Sequence, residues 1–204
     1  MRIRETSSYE IEISKSRFIC YLKRVESEAE FRDFLSSVKK QHPKATHHCT
    51  ALLIDQNIQR SSDDGEPGGT AGIPMLEVLR KRNMEKIAAV TVRYFGGVLL
   101  GAGGLIRAYS RSVSEALDHA EIFDVQRLKV YRIEMDYSTA ARVQKYFSSL
   151  MILNREYGEK VGITFASAEE DIIKKTEEVT LGKYSPVYLY EDEVEVRANV
   201  PLNG

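Results

Sequence analysis

Residues 61–72 read SSDDGEPGGTAG, and residues 93–109 read RYFGGVLLGAGGLIRAY. These two segments hold nine of the 13 glycines in the chain. Glycine weakens helices and strands, so it is favoured where the backbone must adopt a positive φ or approach another group closely. The segments also carry charged side chains, namely Asp63, Asp64, Glu66, Arg93 and Arg107. Open backbone amides beside fixed charges can hold a polar ligand or a nucleic-acid backbone, so the stretch from Ser61 to Arg111 predicts a binding site.

The two segments resemble the signature of the IMPACT/YigZ family. That signature contains an Asp-Asp-Gly-Glu-Pro…Gly-Thr-Ala-Gly…Pro-Met-Leu run, which appears here as Asp63–Leu76. It also contains an Arg-Tyr-Phe-Gly-Gly…Leu-Gly-Ala-Gly-Gly-Leu…Arg-Ala-Tyr run, which appears here as Arg93–Tyr109. Both runs occur in the family's order, and a weaker resemblance continues over the whole chain.

The resemblance implies a two-domain α+β protein. The N-terminal domain of the family is similar to a fold shared by a domain of a small-subunit ribosomal protein, GHMP kinases and domain IV of elongation factor G. The C-terminal domain is similar to the ferredoxin-like domain V of that factor. One relative, IMPACT, is a translational regulator that competes for a kinase coactivator. Eukaryotic members carry an extra N-terminal module not found in this sequence, so we do not expect the kinase-pathway role to transfer.

Composition is consistent with two compact domains, which we place at residues 1–125 and 126–204. The chain has 204 residues, of which 43% are apolar and 29% charged, as in ordinary globular proteins. It has no apolar run of membrane-spanning length and no signal-peptide segment, so we expect a cytoplasmic protein without a membrane partner. Cys20 and Cys49 form no Cys-x-x-Cys pair, and we expect them to be free, buried thiols.

The charge balance excludes tight nucleic-acid binding by bulk charge. The formal net charge is −1. Residues 1–125 contain 18 basic and 17 acidic side chains, a balance of +1, whereas residues 126–204 contain 11 basic and 13 acidic ones, a balance of −2. Non-specific binding of this kind needs a strong basic excess. A local basic patch remains compatible with the sequence, and no DNA sequence specificity is expected.

Periodicity predicts the elements of both domains. In the first domain, we expect a hairpin over residues 9–22, then a helix capped by Ser27 and ended by Pro43. A strand at His47–Ile54 and a helix at Ile73–Arg82 follow. The central strand at Lys86–Tyr94 is expected to be apolar on both faces, and a helix at Leu105–His119 ends the domain. In the second, we expect strands at Leu128–Met135, Met151–Tyr157, Lys160–Ala166 and Val187–Val196, with helices starting at Ser138 and Glu169. The second order, β-α-β-β-α-β, predicts a ferredoxin-like domain.

The acidic loop allows three interpretations. It can be a solvated turn in which Asp and Gly adopt positive φ. Its carboxylates Asp63, Asp64 and Glu66 can form an oxygen cluster for Mg²⁺, although no second carboxylate motif supports a metal site and we expect no cofactor. The same carboxylates can pair with Arg93 or Arg107 and hold the second glycine segment in place. A Cys49–His47 nucleophile lacks an orienting carboxylate nearby, so no catalytic residue is assigned.

The second glycine segment predicts an anion site where it enters a helix. Arg107 and Arg111 share one face of that helix, and Arg93 enters from the strand. Tyr94, Phe95 and Tyr109 offer surfaces for base stacking. The predicted ligand or nucleic-acid site is Arg93, Tyr94, Gly96, Gly97, Gly103, Gly104, Arg107, Tyr109 and Arg111. In the competing interpretation the aromatic rings lie in the core and the arginines neutralise the acidic loop.

Two functions follow from these alternatives. The first is a non-enzymatic regulatory protein of translation that docks RNA, the ribosome or a translation-associated protein through the glycine-rich basic pocket. The second is a small Mg²⁺-dependent phosphate-handling enzyme that uses the loop from Asp63 to Glu66. The first is favoured because no motif positions a nucleophile or a general base.

Overall fold

The computed structural model describes residues 1–197. The chain divides into two compact units, one formed by Met1–Asp124 and the other by Val125–Val196. Both units mix helices with strands, as the sequence predicts. None of the helices in the described residues combines the length and the apolarity needed to cross a bilayer.

The first unit is built on an antiparallel sheet with helices on both faces. Its elements are β1 (Arg2–Ile3), β2 (Ser7–Ile13), β3 (Ser16–Arg24), α1 (Glu28–Gln41), β4 (His47–Leu53), β5 (Gln59–Ser62), α2 (Gly72–Lys81), β6 (Ile87–Tyr94) and α3 (Gly101–Asp118). The sheet has the strand order β2-β3-β6-β4-β5. The short strand β1 pairs with the start of β7 (Ile122–Met135), at Ile122 and Phe123.

The strand β6 is the centre of this unit, which confirms the prediction of a strand that is apolar on both faces. Every residue from Ile87 to Arg93 is buried. On one face, Ile87 and Ala89 join a core cluster with α2 and α3. On the other face, Ala88, Val90 and Val92 pack in a cluster with Phe34 and Val38 of α1. A strand covered on both sides is apolar along most of its length, and that explains the run before Arg93. Thr91 is the one polar residue between Ile87 and Val92, and its hydroxyl lies 3.2 Å from the Ser112 hydroxyl of α3.

The helix α1 begins as its sequence predicts. The Ser27 side chain accepts a hydrogen bond from the Glu30 amide, and the Glu30 carboxylate accepts one from the Glu26 amide. The serine hydroxyl thus accepts the hydrogen bond of one of the first amides of the helix, which have no acceptor inside it.

The start of α3 differs from the prediction. The helix begins at Gly101, four residues before Leu105, so the segment from Gly101 to Gly104 forms its first turn. Glycine costs about 1 kcal/mol in a helix, which is why the sequence favours a loop here. Gly104 lies close to the preceding turn, because a Cβ at this position would stand 2.9 Å from the Leu100 Cβ. That close approach explains why a residue without a side chain is used.

The second unit contains the predicted β-α-β-β-α-β sequence of elements. They are the remainder of β7, α4 (Tyr137–Ser148), β8 (Met151–Tyr157), β9 (Val161–Ser167), α5 (Ile172–Val179) and β10 (Val187–Arg197). The strand order is β10-β7-β9-β8. Phe147 of α4, Phe165 of β9 and Ile172 of α5 share one core cluster.

Two helix starts in this unit were predicted incorrectly. The cap of α4 is Asp136 and not Ser138, because the Asp136 carboxylate accepts hydrogen bonds from the Thr139 amide at 2.7 Å and from the Ser138 hydroxyl at 2.5 Å. These bonds, together with one from Tyr184, lower the pKa of Asp136. The helix α5 starts at Ile172 and not at Glu169.

Gly96 is expected to tolerate no side chain. A Cβ on Gly96 would lie 2.0 Å from the Lys15 carbonyl, so Gly96→Ala must displace the β2–β3 turn and should lower the free energy of unfolding by about 2 kcal/mol or more. Gly103→Ala is the matched control. Its Cβ would meet only the flexible Arg107 side chain, at 3.5 Å, and alanine should stabilise the helix by about 0.5–1 kcal/mol. Urea unfolding of both variants checks this, and equal effects would contradict the assigned close approach.

Candidate functional site

A buried carboxylate joins the two glycine-rich segments. Glu66 Oε1 accepts a hydrogen bond from Arg93 Nη1 at 2.6 Å and one from the Tyr109 hydroxyl at 2.7 Å. The Glu66 and Arg93 side chains are only 3% and 6% exposed, and Tyr109 is fully buried. The acidic loop is therefore bonded to the end of β6 and to the third turn of α3. This is the pairing alternative of the sequence analysis, with Glu66 and Arg93 as the partners.

Arg93 is enclosed by protein groups and is not open to a ligand. Its guanidinium carbon lies 5.4 Å from the centre of the Phe18 ring and 5.6 Å from that of Phe95. Nη2 lies 3.4 Å from the Ser16 hydroxyl. The expectation that Arg93 and Tyr109 meet an anionic ligand is therefore not met, because both are buried and both donate to Glu66.

His47 supports the loop from the neighbouring strand β4. Its Nδ1 donates to the Asp64 carbonyl at 2.8 Å, which fixes the ring orientation. Nε2 then lies 3.8 Å from Glu66 Oε1. The imidazole thus contacts the loop at two points, the Asp64 carbonyl and the Glu66 carboxylate.

Asp63 organises the start of α2. Its carboxylate accepts hydrogen bonds from the amides of Gly69 at 2.8 Å, Ala71 at 3.0 Å and Gly72 at 2.8 Å. Burial raises the pKa of Asp63, but the three amide hydrogen bonds outweigh burial, and the net pKa lies below the ordinary value. The side chain caps a helix whose own N-cap residue, Ala71, has no polar side chain.

Asp64 is also bonded within the protein. It adopts a positive φ of 42°, as expected for a turn residue. Its Oδ2 accepts from the His48 amide at 2.7 Å, and Lys39 Nζ lies 3.5 Å from Oδ1. All three loop carboxylates thus have protein partners. In residues 1–197, no three or more His, Cys, Asp or Glu side chains are grouped so that they could hold a metal ion.

Cys49 lies beneath the loop. It is completely buried, and its thiol donates to the Asp63 carbonyl at 3.0 Å. Burial raises the pKa of the Cys49 thiol to about 12. A thiol with this pKa is not ionised at neutral pH, so a Cys49–His47 nucleophile is not supported.

Tyr94 takes part in a separate network on the α1 side of the sheet. Its hydroxyl lies 2.8 Å from His42 Nδ1, and His42 Nε2 lies 2.7 Å from the Tyr21 hydroxyl. Burial and the neighbouring His48 lower the pKa of His42. Tyr94 is thus a member of a tyrosine–histidine–tyrosine chain and not of the Glu66 cluster.

The exposed part of the predicted site runs from the end of β6 into the first two turns of α3. Arg107 is exposed and has no hydrogen-bond or ion-pair partner in the described residues, whereas Arg111 pairs with Glu115 at 3.2 Å. Large apolar side chains are exposed around Arg107 in sequence, with exposed fractions of 47% for Phe95, 42% for Val98, 87% for Leu99 and 42% for Ile106. We refer to residues 95–107 as the β6–α3 segment. The binding roles of Gly96, Gly97, Gly103, Gly104 and Arg107 stay predictions.

Sequence reasoning missed the exposed apolar residues. Leu99 is 87% exposed, although an apolar side chain by itself would favour a packed position. A signal was present in the sequence. The apolar run follows a Gly-Gly turn and precedes a helix, without the alternation of a strand.

The fold and the buried cluster together define a class of proteins. The chain is a two-unit α/β protein whose first unit carries an Asp-Asp-Gly-Glu-Pro loop bonded to an arginine at the end of the central strand. The model of the Impact N-terminal domain matches residues 14–117. The chain belongs to the IMPACT family, which confirms the resemblance stated above.

Relatives extend the similarity over most of the chain. IMPACT family member YvyE of Bacillus subtilis (strain 168) is 44% identical over 171 residues, which cover 83% of this chain and 79% of YvyE. IMPACT family member YigZ of Escherichia coli (strain K12) is 38% identical over 152 residues, covering 72% of this chain and 74% of YigZ. A crystal structure of a hypothetical protein is similar with a TM-score of 0.57 and 32% identity, covering 93% of this chain and 97% of that one.

Removing the Glu66 charge is expected to destabilise the first unit strongly. Glu66→Gln leaves the buried Arg93 guanidinium without a counter-charge, and breaking a buried pair in this way costs about 3–5 kcal/mol. Tyr109→Phe removes one neutral donor and keeps the ring, so it should cost about 1 kcal/mol. Chemical denaturation of the two variants gives the comparison. A Glu66→Gln loss no larger than that of Tyr109→Phe would contradict the assigned ion pair.

The Asp63 cap predicts acid sensitivity. Because its pKa is lowered in the folded protein, Asp63 stabilises the fold above its ordinary pKa of about 4, and this contribution is lost as the pH falls through the lower folded value. Both Asp63 oxygens accept from amides, and the NH2 group of asparagine cannot accept, so Asp63→Asn should cost about 1–2 kcal/mol at neutral pH. The difference from the wild type should shrink below about pH 4. Unfolding free energies measured from neutral to acid pH check this. A difference that does not depend on pH would contradict it.

Proposed function

We propose that this protein is a non-enzymatic regulatory protein of translation that binds a translation-associated protein through the β6–α3 segment. Its family supports a role in translation, because the resemblance includes the translational regulator IMPACT. The observation that carries the binding role is Leu99, which is 87% exposed beside the exposed Val98. Exposed apolar groups clustered in one segment are typical of protein interaction sites.

The charge of the segment indicates what the partner presents. Residues 95–107 contain one charged side chain, Arg107, and no acidic residue. The first amides of α3 have no side-chain cap, so the positive end of the helix dipole adds to the arginine charge. A complementary partner offers an apolar surface for Leu99 and a carboxylate for Arg107. Arginine beside aliphatic and aromatic groups is a common composition for the centre of a protein interface.

The β6–α3 segment is held at both ends by contacts with the rest of the unit. The Glu66–Arg93–Tyr109 cluster holds both ends of the segment, because Arg93 precedes it and Tyr109 follows it. The Gly96 amide also donates to the Ser16 hydroxyl at 3.1 Å. A segment held at its ends loses less conformational entropy when it binds, and this favours affinity.

RNA is the less favoured partner at this segment. Phosphate binding gains from several cations, yet Arg93 is buried against Glu66 and Arg111 pairs with Glu115, so Arg107 alone has an open guanidinium among the three arginines of the predicted site. Tyr109 is buried and Tyr94 is bonded to His42, so of the three aromatic residues considered for stacking only Phe95 is exposed.

No observation favours the Mg²⁺-dependent enzyme. Its proposed ligands Asp63, Asp64 and Glu66 all accept hydrogen bonds from the protein itself. In the described residues these carboxylates are not grouped with other His, Cys, Asp or Glu side chains in a set of three that could hold a metal ion.

We also infer the finer fold assignments. The order β10-β7-β9-β8, with a helix after the first and third strands of the unit, supports a ferredoxin-like fold for the second unit. The family resemblance supports a likeness of the first unit to domain IV of elongation factor G. The cytoplasmic location expected from the sequence stays a prediction.

The test combines a functional and a binding measurement. Purified protein is added to a reconstituted cell-free translation system, and its binding to each purified component is measured at low and at high salt. We expect a change in the rate of protein synthesis and binding to one protein component that changes little with salt. Leu99→Ser and Arg107→Ala should each weaken this binding, the arginine change by about 1–3 kcal/mol.

Matched controls lie in the second unit. Leu181 is 72% exposed, and Arg142 is exposed with no partner in the part of the chain that is described. Leu181→Ser and Arg142→Ala should leave binding unchanged. Wild-type protein that neither alters translation nor binds any component would overturn the proposed function. Binding that falls steeply with salt and requires RNA would replace the protein partner with RNA.

A further inference from the structure

We propose that the outer face of α1 is a second binding surface, which takes an acidic peptide segment containing an aliphatic side chain. A groove of about 510 Å³ runs along this face. Its lining residues are Arg32, Leu35, Ser36, Lys39, Lys40 and Pro43. None of them belongs to the β6–α3 segment, so this inference does not rest on the proposed function.

The charges of the groove are all positive. Its three charged lining residues are Arg32, Lys39 and Lys40. Arg32 and Lys40 have no ion-pair or hydrogen-bond partner among residues 1–197, and Lys39 makes only the 3.5 Å contact with Asp64. The exposed Lys44 follows the groove in sequence. Unpaired cations along one helix face attract a segment with several carboxylates.

The acidic residues of the same helix do not neutralise this face. Glu28 pairs with Arg60 at 3.0 Å, and Glu30 accepts from the Glu26 amide at the N-terminus. Asp33 lies on α1 but does not line the groove. The acidic groups therefore gather in the first turns, whereas Lys39 and Lys40 lie in the last turn. This separation leaves the C-terminal half of the outer face basic.

The apolar part of the lining favours a peptide over RNA. Leu35 is partly buried and packs against the core cluster of α1, and Pro43 is exposed at the end of the groove. An aliphatic side chain can pack between Leu35 and Pro43, which a phosphate backbone cannot do. No aromatic residue lines the groove, so it offers no stacking surface for a base.

The size of the groove fits a short segment. From Arg32 to Lys40 the helix rises by about 12 Å, which roughly four extended residues would span. Two of the four side chains of such a segment face the groove, so a leucine can face Leu35 while a carboxylate two residues further on reaches Lys39 and Lys40. A carboxylate of a flanking residue can then reach Arg32.

Fluorescence anisotropy on the full chain tests this inference. The probe is a fluorescein-labelled peptide of sequence Glu-Glu-Leu-Glu-Glu-Leu-Glu-Glu. We expect it to bind, and the double variant Arg32→Glu/Lys40→Glu should weaken binding by about tenfold or more. The control Lys174→Glu/Lys183→Glu changes the net charge equally at exposed positions in the second unit and should bind as the wild type does. Thermal unfolding of each variant verifies that the fold is retained.

Two further peptides test the apolar contact and the charge contacts separately. A peptide with serine in place of both leucines should bind more weakly, and a peptide with glutamine in place of every glutamate should not bind. The inference is overturned if the wild type and the Arg32→Glu/Lys40→Glu variant bind the probe equally, or if the control variant loses binding to the same extent. Tighter binding of a short oligouridine that depends on Arg32 and Lys40 would overturn it in favour of RNA.

Discussion

The Glu66 carboxylate is the group on which the first unit depends. It lies where the acidic loop, the end of β6 and the third turn of α3 meet. There it is buried and accepts hydrogen bonds from Arg93 and Tyr109. Removing two charges from water is costly, and their attraction compensates only when the geometry is good and the remaining groups are bonded. The arrangement thus fixes the position of the loop more than it adds net stability, because each displaced group would be left buried and unpaired.

This fixed loop explains the disposition of the surrounding charges. Arg93 forms a buried ion pair with Glu66. The positive groups of the predicted site that remain accessible to a partner are therefore Arg107 and the amides at the start of α3. Asp63 is likewise committed to three amides at the start of α2. Arg93, Asp63 and Glu66 are therefore bonded inside the unit, and the groups that remain exposed on the β6–α3 segment are mainly apolar, with Leu99 the most exposed of them.

Pattern alone predicts the fold of this chain well and its site only in part. The run from Ile87 to Val92 is apolar except for Thr91, so the centre of the sheet can be recognised directly. Capping residues are harder, since Asp136 and Ser138 are equally suitable by type and only the backbone geometry distinguishes them. The start of α3 was misplaced because intrinsic propensity disfavours glycine in a helix, whereas the close approach of Gly104 to Leu100 depends on tertiary packing. For the same reason, sequence could offer three candidate carboxylates for Arg93 without choosing among them.

The burial of the two cysteines has a practical consequence. Cys20 and Cys49 lie on neighbouring parts of the sheet with no exposed surface, and burial raises the pKa of both thiols to about 12. They are shielded from oxidants and alkylating reagents while the strands stay closed. The rate at which a reagent modifies either thiol in the native protein therefore measures how often this part of the sheet opens.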